Sequence, residues 1–301
     1  MTTLDPSRAR QLREVLASAC ARAGLGGADD AELIKYTNNA TYRLAGAVIA
    51  RVGIGALGRT RAPRVVTMAR WLAERDAPTV RLLDAEQPVY IGDYAVTFWH
   101  EVPSTAVHGW DFTAGELAAA VKSLHTIPVA DAASLPTWDA FTAASLRVHA
   151  ADPMIDAESL DWLRTQWTQV QREYRNLTMP RRGVIHGDAH TGNLLRTPAD
   201  TTILADLDSA GIGPIGWDLA VVAVDGIRFG RSEFYSDFAA AYGADVTSWT
   251  EWPVLRRIRE LLLVTSAIPD LSRRPDTATE HAHRLRTLRA GQLDAIWRPY
   301  K

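Results

Sequence analysis

The order of strand-like and helix-like segments along the chain is the feature that most constrains its fold. Up to Pro103, short apolar runs alternate with turn residues such as Gly, Asn and Pro, a pattern typical of strands. Beyond Pro103, longer segments carry apolar residues three and four positions apart, which is typical of helices. The pattern predicts an α+β fold, with a small sheet lobe over residues 1–101 and a larger, mainly helical lobe over residues 102–301.

Individual elements follow from the same periodicities. In the first part we predict a helix over 7–22, a three-strand meander over 33–52, a helix near 64–75, and strands over 80–83, 89–91 and 95–99. In the second part we predict helices over 113–124, 161–177, 219–229, 252–268 and 281–297, and short strands at 183–185 and 202–205. These two short strands interrupt the helical part, and conspicuous polar residues follow each of them.

Composition excludes several classes of protein. The 301 residues are 47% apolar with a formal net charge of only -2 and no dense block of Lys and Arg, so we expect a globular protein without a nucleic-acid partner. Because Cys20 is the only cysteine, an intramolecular disulfide is excluded. The first residues lack the apolar run of a signal peptide, and no later segment has the length and apolarity of a membrane span. We therefore expect a cytoplasmic protein with no membrane partner.

The polar residues around the two short strands form the most informative motif. The first strand leads into Asp188, with Asn193 following, and the second leads into Asp206 and Asp208. In phosphoryl transfer a protein positions a hydroxyl, binds the metal and the phosphates, and supplies a carboxylate to the hydroxyl proton. Carboxylate and amide oxygens are ligands suited to Mg²⁺. The motif predicts Asp188 as the catalytic residue and Asn193 and Asp206 as ligands of Mg²⁺.

The spacing also resembles the catalytic loop of protein kinases, in which His-Arg-Asp is followed by four residues and Asn. Here Gly187 replaces the Arg, and Asp206-Leu207-Asp208 replaces Asp-Phe-Gly. In these two features the chain resembles the aminoglycoside phosphotransferase and choline kinase family of protein-kinase-like small-molecule kinases. The resemblance implies a protein-kinase-like bilobal fold. It also implies transfer of the γ-phosphoryl group of ATP, or of GTP, to a hydroxyl of a small molecule with the help of Mg²⁺.

The resemblance extends to residues that support the catalytic loop. Asp218, at the start of Asp-Leu-Ala, matches the family's Asp that braces the loop through hydrogen bonds, and His186 is a second supporting residue. The segment 117–125 is similar to the family's helix beneath the site. The stretch 186–220 carries the most specific part of the resemblance.

The nucleotide site has a weaker signature. The segment 39–44 resembles the family's nucleotide loop, which implies that Asn39 covers the phosphates. Arg51 on the next strand occupies the place of the family's basic residue that contacts the α- and β-phosphates, and lysines that would compete for this role are scarce. The resemblance assigns the adenine to the backbone of the connecting strand, from His100 to Val102.

One departure from the family pattern concerns the partner of Arg51. The family has a helix Glu that pairs with the basic residue, but the aligned position falls near Val65. The only carboxylates nearby belong to Glu74 and Asp76. An arginine makes bidentate phosphate contacts without such a partner, so its absence does not exclude activity.

Other interpretations of the motif stay open. His186, Asp188 and His190 form a His-x-Asp-x-His string, which in a hydrolase binds a transition metal. That interpretation leaves Asn193 and Asp206 unexplained. A third interpretation is a degenerate kinase fold that binds nucleotide or a partner without chemistry. Taken singly, each polar residue is also explained as an ordinary turn or cap residue.

The acceptor is not defined by the motif. The helices after Gly226 are expected to build its pocket, where acidic residues would attract a cationic amine or amino sugar. The candidates are Asp225, Glu233, Asp237, Glu260 and Asp270. The same residues are equally interpreted as solvated helix faces, which is the commoner case. We expect His125 and His190 to be hydrogen-bonded structural residues.

Overall fold

The computed structural model describes residues 5–36, 39–103, 111–129, 134–178, 181–272 and 274–300. The chain forms two compact units. The first comprises Met1–Asp111, Ala130–Pro136 and Gly192–Gly211, and the second comprises Phe112–Val129, Thr137–Thr191 and Ile212–Lys301. Asn193 and Asp206 therefore belong to the first unit and Asp188 to the second. The lobe boundary between residues 101 and 102 stays a prediction.

The first unit contains a five-stranded sheet. Its strands are β1 (Glu32–Tyr36), β2 (Asn39–Leu44), β3 (Val48–Ile54), β4 (Val89–Ile91) and β5 (Tyr94–His100). Neighbours pair antiparallel in the order β1-β2-β3-β5-β4. The meander and the strands predicted at 89–91 and 95–99 are confirmed, because short runs of β-branched and aromatic residues between turns fit a pleated, half-buried surface.

The strand predicted at 80–83 is wrong. This segment runs beside β5 and is joined to it by an isolated bridge, between Leu82 and Trp99. The N–H of Phe98 donates to the side chain of Gln87 at 2.8 Å, so a continuous ladder is not formed there. The apolar pattern of the segment does not reveal that the Gln87 side chain competes for the Phe98 N–H.

Two helices accompany this sheet, α1 (Pro6–Arg22) and α2 (Gly55–Ala73). Leu12 and Leu16 of α1 are fully buried in the same core as Tyr42 and Phe98 of the sheet. The helix predicted near 64–75 begins at Gly55 in the structure. The sequence pattern placed its start too late, because the Gly and Pro residues in its first turns weaken the helical signal.

A close approach of backbones fixes α2 on β3. A Cβ atom at Gly58 would overlap the backbone of Gly53 on β3, so only glycine permits this contact. The contact brings the first turns of α2 to the strand that carries Arg51.

A small hairpin completes the first unit. Its strands, β7 (Leu194–Arg196) and β8 (Thr202–Leu204), pair antiparallel. The strand predicted at 202–205 is confirmed, whereas β7 was not predicted. The hairpin places the residues just before β7 and just after β8 at the same end.

The second unit is mainly helical. Its helices are α3 (Ala114–His125), α4 (Ala140–His149), α5 (Ala157–Arg175), α6 (Gly216–Arg228), α7 (Ser232–Tyr242), α8 (Trp252–Thr265) and α9 (Pro275–Arg289). The strand β6 (Arg182–Ile185) pairs with β9 (Gly211–Pro214). The helices predicted at 113–124, 161–177, 219–229 and 252–268 are confirmed as elements, and their ends differ by a few residues.

The remaining differences in this unit have local causes. The pattern did not predict α4 or α7, because the buried face of α4 is built largely of alanines and only Phe238 of α7 is buried. The helix predicted at 281–297 ends at Arg289, followed by Gly291 with a positive φ of 65°. Within the described residues, no helix is both long and apolar enough to cross a membrane.

A buried histidine in α9 gives a test of this packing. His281 is 4% exposed, and among the described residues its Nε2 atom has no hydrogen-bond partner. Burial and the nearby Arg284 charge lower the pKa of His281 from 6.5 to about 4. In the unfolded chain this histidine takes up a proton at its ordinary pKa, whereas in the folded chain it stays neutral to a lower pH. Its contribution to the free energy of unfolding is therefore fully present above pH 6.5. As the pH falls toward 4, the free energy of unfolding drops by on the order of 3 kcal/mol.

We therefore expect His281→Gln to reduce the loss of unfolding free energy between pH 7 and pH 4.5. Urea unfolding at the two pH values measures this difference. His283→Gln is the matched control, since His283 lies in the same helix, is only half-buried and hydrogen-bonds to Ile296 O. Equal pH dependence in wild type and His281→Gln would contradict the assignment.

Candidate active site

In the first unit, the hairpin brings two predicted metal ligands together. Leu194 pairs with Leu204, so Asn193 and Asp206 lie at the same end, and the N–H of Ala205 donates to Asn193 O at 2.8 Å. Asp206 adopts the left-handed region, with φ 61° and ψ 64°. Such a backbone is uncommon for a residue other than glycine and is concentrated at functional positions. One amide oxygen and one carboxylate form a donor set that fits a hard divalent cation such as Mg²⁺.

Arg51 of β3 faces the same carboxylates. Its Nη2 atom lies 3.0 Å from Asp206 Oδ1 and 3.2 Å from Asp208 Oδ2. Asp208 Oδ2 also accepts a hydrogen bond from Asn39 Nδ2 at 2.7 Å and lies 3.8 Å from Arg61 Nη1 of α2. Burial lowers the pKa of Arg51, but the two carboxylates more than offset this and raise it above its usual value. Arg51 is therefore a permanently charged group held by two carboxylates.

These contacts identify the partner of Arg51 that the sequence left open. Val65 of α2 is 4% exposed and lines a small cavity together with Arg51, Arg61 and Asp208. The cavity thus has an apolar side chain where the family has its helix Glu, and Asp208 supplies the carboxylate to Arg51. Glu74 is exposed and pairs with Arg75 instead.

The predicted adenine segment begins at His100, the last residue of β5 in the first unit. The N–H of His100 donates to Arg81 O at 2.9 Å, and the N–H of Glu101 donates to Ala47 O at 2.8 Å. Both donors are therefore engaged within the protein. The roles of His100 and Val102 toward a nucleotide stay predictions.

In the second unit, Asp188 lies on a loop that α6 holds by its backbone. Asp218, fully buried in the first turn of α6, accepts hydrogen bonds from the N–H groups of His186 and Gly187, each at 2.7 Å. Trp217 Nε1 donates to Gly187 O at 2.7 Å. Gly187 has a φ of 83°, which an arginine at this position would adopt only with strain. The contacts are those expected of a bracing Asp.

His125, the last residue of α3, extends this support. Its Nε2 atom lies 3.1 Å from Asp218 Oδ2, and its Nδ1 atom lies 2.8 Å from the hydroxyl of Tyr242. His186 is fully buried beside the loop. The predicted structural role of His125 agrees with these contacts.

The carboxylate of Asp188 has charged neighbours that the sequence did not indicate. Arg259 of α8 donates from Nη1 to Asp188 Oδ1 at 2.7 Å, and its Nη2 atom lies 3.2 Å from Asp225 Oδ1 of α6. His190 Nε2 lies 3.7 Å from Asp188 Oδ2. Desolvation raises the pKa of Asp188, but the charges of Arg259 and His190 outweigh it and hold the pKa well below its usual value. The low pKa keeps the Asp188 carboxylate ionised at neutral pH. Because 39% of the side chain is exposed, the carboxylate is also accessible to a substrate.

Two of the acidic acceptor candidates are internal partners rather than a solvated surface. Asp225 binds Arg259, and Glu260, 4% exposed, pairs with Arg228 at 2.8 Å and Arg256 at 2.9 Å. Arg259 itself was missed. Three arginines occur in four residues of α8, and nothing in their spacing distinguishes the one that reaches Asp188.

The geometry does not support the His-x-Asp-x-His interpretation. Over the described ranges, no group of three or more His, Cys, Asp or Glu residues is arranged to hold a metal ion. His190 lies toward Asp188 and the Arg259 charge, and proximity to Asp188 raises the pKa of His190 although burial opposes this. A histidine whose pKa is raised is a weaker metal ligand, because the metal binds the neutral ring.

A five-stranded antiparallel sheet, a mainly helical unit and a buried Asp that braces a Gly-Asp loop define a protein-kinase-like phosphotransferase fold. A model of the phosphotransferase enzyme family (APH) matches residues 37–261, and the chain belongs to that family. The match confirms the resemblance and the predicted enzyme class, a phosphotransferase with an alcohol group as acceptor. No curated protein sequence matches the chain significantly.

Solved structures share the fold at low sequence identity. Amicoumacin kinase in complex with AMP-PNP, Ca²⁺ and Ami is 12% identical, with 97% of this chain and 98% of that chain covered and a TM-score of 0.69. Choline kinase LicA from Streptococcus pneumoniae is 13% identical, with 95% and 98% covered and a TM-score of 0.63. An aminoglycoside phosphotransferase from Streptomyces rimosus is 19% identical, with 85% and 99% covered and a TM-score of 0.55. These likenesses confirm the predicted kinase-like fold.

Proposed function

We propose that the enzyme transfers the γ-phosphoryl group of ATP, in the presence of Mg²⁺, to a hydroxyl of a small molecule, such as an aminoglycoside, another amino sugar or a choline-like amine. The observation that carries the proposal is the Asp188 loop, whose backbone is held by Asp218 and whose carboxylate stays ionised and accessible. The family match and kinase structures bound to AMP-PNP and AMP support nucleotide use. A cytoplasmic location, where ATP is available, is part of the proposal.

In this proposal Asp188 accepts a hydrogen bond from the acceptor hydroxyl and orients its oxygen toward the phosphorus. The lowered pKa of Asp188 makes it a weak base in the resting enzyme. A loose transition state needs little base strength early in the reaction, because bond formation to the nucleophile is limited. Orientation of the hydroxyl is then the larger part of its contribution. The proton passes to Asp188 as the new P–O bond forms and the bond from the γ-phosphorus to the bridging oxygen breaks, which releases ADP.

We assign the nucleotide and its metal to residues of the first unit. Asn193 and Asp206 would hold Mg²⁺ through their side-chain oxygens. When bound there, the ion would supply positive charge that offsets the negative charge developing on the transferring phosphoryl group. Arg51 would bind the α- and β-phosphates, Asn39 would cover the phosphates, and the backbone of 100–102 would hold the adenine.

The assignment of Arg51 predicts a selective change in nucleotide use. Arg51→Ala removes a charge-assisted contact to phosphate, so the KM for ATP should rise by about tenfold or more while the KM for the acceptor stays within about twofold. Steady-state kinetics with each substrate varied in turn measure both. Arg59→Ala is the matched control, since Arg59 lies in α2 and donates to Gly92 O. If only the acceptor KM moves, Arg51 belongs to a different site.

The reaction itself is tested by acceptor-dependent ADP release. Purified protein with ATP and Mg²⁺ should be screened against aminoglycosides, choline-like amines, amino sugars, nucleosides and sugar alcohols, and GTP should be compared as donor. We expect ADP formation with at least one acceptor class, and a rate at least about 100-fold lower with Asp188→Asn. Nucleotide binding without ADP formation on any acceptor would instead indicate a degenerate kinase fold.

A further inference from the structure

Arg259 connects the Asp188 carboxylate to the helical core of the second unit. Its side chain is 9% exposed, and its two terminal nitrogens reach different carboxylates, Nη1 that of Asp188 at 2.7 Å and Nη2 that of Asp225 at 3.2 Å. A buried guanidinium is costly unless its charge is compensated and its donors are bound. Two carboxylates from two different elements compensate the charge and bind the two terminal nitrogens here.

The arrangement gives the loop two independent attachments to α6. Asp218 in the first turn of α6 binds the loop's backbone N–H groups directly. Asp225, two turns further along α6, reaches the Asp188 side chain through Arg259. The first attachment fixes the path of the chain, and the second acts on the carboxylate itself.

A carboxylate needs such a contact to hold one orientation. The terminal torsion of an Asp side chain has a broad, roughly two-fold preference, so packing alone defines the plane of the two oxygens poorly. A short bond from a guanidinium to one oxygen restricts that rotation. In phosphoryl transfer the orientation of the nucleophile matters, and a displacement of about 1 Å costs on the order of 100-fold in rate.

We propose that Arg259 is a positioning residue for the phosphoryl transfer: it fixes the plane of the Asp188 carboxylate, and Asp225 fixes the Arg259 guanidinium in turn. This inference rests on the proposed role of Asp188. An arginine suits the task because its planar fork presents two donors at once, whereas a lysine is a point charge on a flexible stem.

A neighbouring ion pair serves as a control that distinguishes a positioning role of Arg259 from a role in helix packing alone. Arg228 and Glu260 also join α6 to α8, at 2.8 Å, and are as deeply buried as Arg259. Arg228 additionally donates to the carbonyl oxygens of Gln292 and Ala295, and its contacts lie away from the Asp188 loop. If Arg259 serves only to join the two helices, loss of either arginine should have the same consequence.

The test compares Arg259→Met, Arg259→Lys, Asp225→Asn and the control Arg228→Met by kcat, by KM for both substrates and by Tm. We expect Arg259→Met to lower kcat by about 100-fold with both KM values within about twofold. Arg259→Lys should recover part of the loss, because it restores one donor. Asp225→Asn keeps the side-chain shape and should lower kcat by about tenfold. This variant provides the test if Arg259→Met folds poorly. Arg228→Met should lower Tm and leave kcat close to wild type.

A double variant shows whether Arg259 acts through Asp188. Adding Arg259→Met to Asp188→Asn should lower kcat by less than about threefold further, since residues that act as one unit are not additive. A full 100-fold loss in that background, a rise confined to the acceptor KM, or a change in Tm alone would each overturn the inference while the proposed function stands. A wild-type enzyme without acceptor-dependent turnover would refute both.

Discussion

Asp188→Asn is expected to lower kcat by about 100- to 10,000-fold, the range contributed by a positioned proton acceptor. Asparagine has nearly the same shape, so the loop held by Asp218 should persist, but one carboxylate oxygen becomes a donor and the charge is lost. The residues assigned to the nucleotide lie in the first unit and are unchanged. The affinity for ATP should therefore stay within about twofold of wild type.

Single-turnover and steady-state rates with a saturating acceptor measure the loss, and equilibrium binding measures the nucleotide affinity. Asp161→Asn is a suitable control, because Asp161 is an exposed residue of α5 that pairs with Arg164. The Tm of Asp188→Asn should be recorded, since the change also removes a partner of Arg259. A variant that retains a third or more of wild-type kcat would contradict the role of Asp188.

Loss of the Asp206 carboxylate should have the second large effect. Asp206→Asn keeps a residue that tolerates the left-handed backbone but removes a full charge from the proposed magnesium site. Because metal stabilisation of the transferring phosphoryl group is worth several kcal/mol, we expect kcat at ordinary Mg²⁺ to fall by about 100-fold or more. Asn193→Ala removes only a neutral oxygen, so its loss should be smaller and partly rescued by raised Mg²⁺.

Magnesium titration of the rate at fixed ATP measures these effects. Asp200→Asn is a close control, because Asp200 lies in the turn of the same hairpin, has a φ of 58° and pairs with Arg196. It should titrate with Mg²⁺ as wild type does. Titration curves that are unchanged in both Asp206→Asn and Asn193→Ala would refute the assignment of the metal ligands.

The parts of the molecule that the sequence predicted are those defined by local patterns. The strands of the sheet follow from short β-branched runs between turns, and the roles proposed for Asp188, Asn193 and Asp206 come from their spacing after two predicted short strands. The bracing contact of Asp218 could also be expected from the sequence, because that residue matches the family pattern. Such features need no knowledge of which distant segments meet.

The ion pairs of Arg51 and Arg259 could not be predicted from the sequence, because they join residues far apart in the chain. Arg51 pairs with Asp208 only because β3 and the hairpin belong to one unit, and the missing helix Glu gave no hint of that substitute. Arg259 lies among other arginines on an amphipathic helix, where a solvated position was the better expectation. Its burial depends on Asp225 and Asp188, which are supplied by α6 and by the loop.

The fate of the γ-phosphorus of ATP tests the central claim most directly. Phosphorus NMR of a reaction with Mg²⁺, ATP and an acceptor from the screen should show a new phosphate monoester signal that grows in step with ADP. His190→Asn should retain appreciable transfer, and metal analysis of the purified protein should find no stoichiometric zinc, iron or nickel. Release of inorganic phosphate without a monoester would contradict the account. So would an absence of ATP consumption together with a bound transition metal that is lost in His190→Asn.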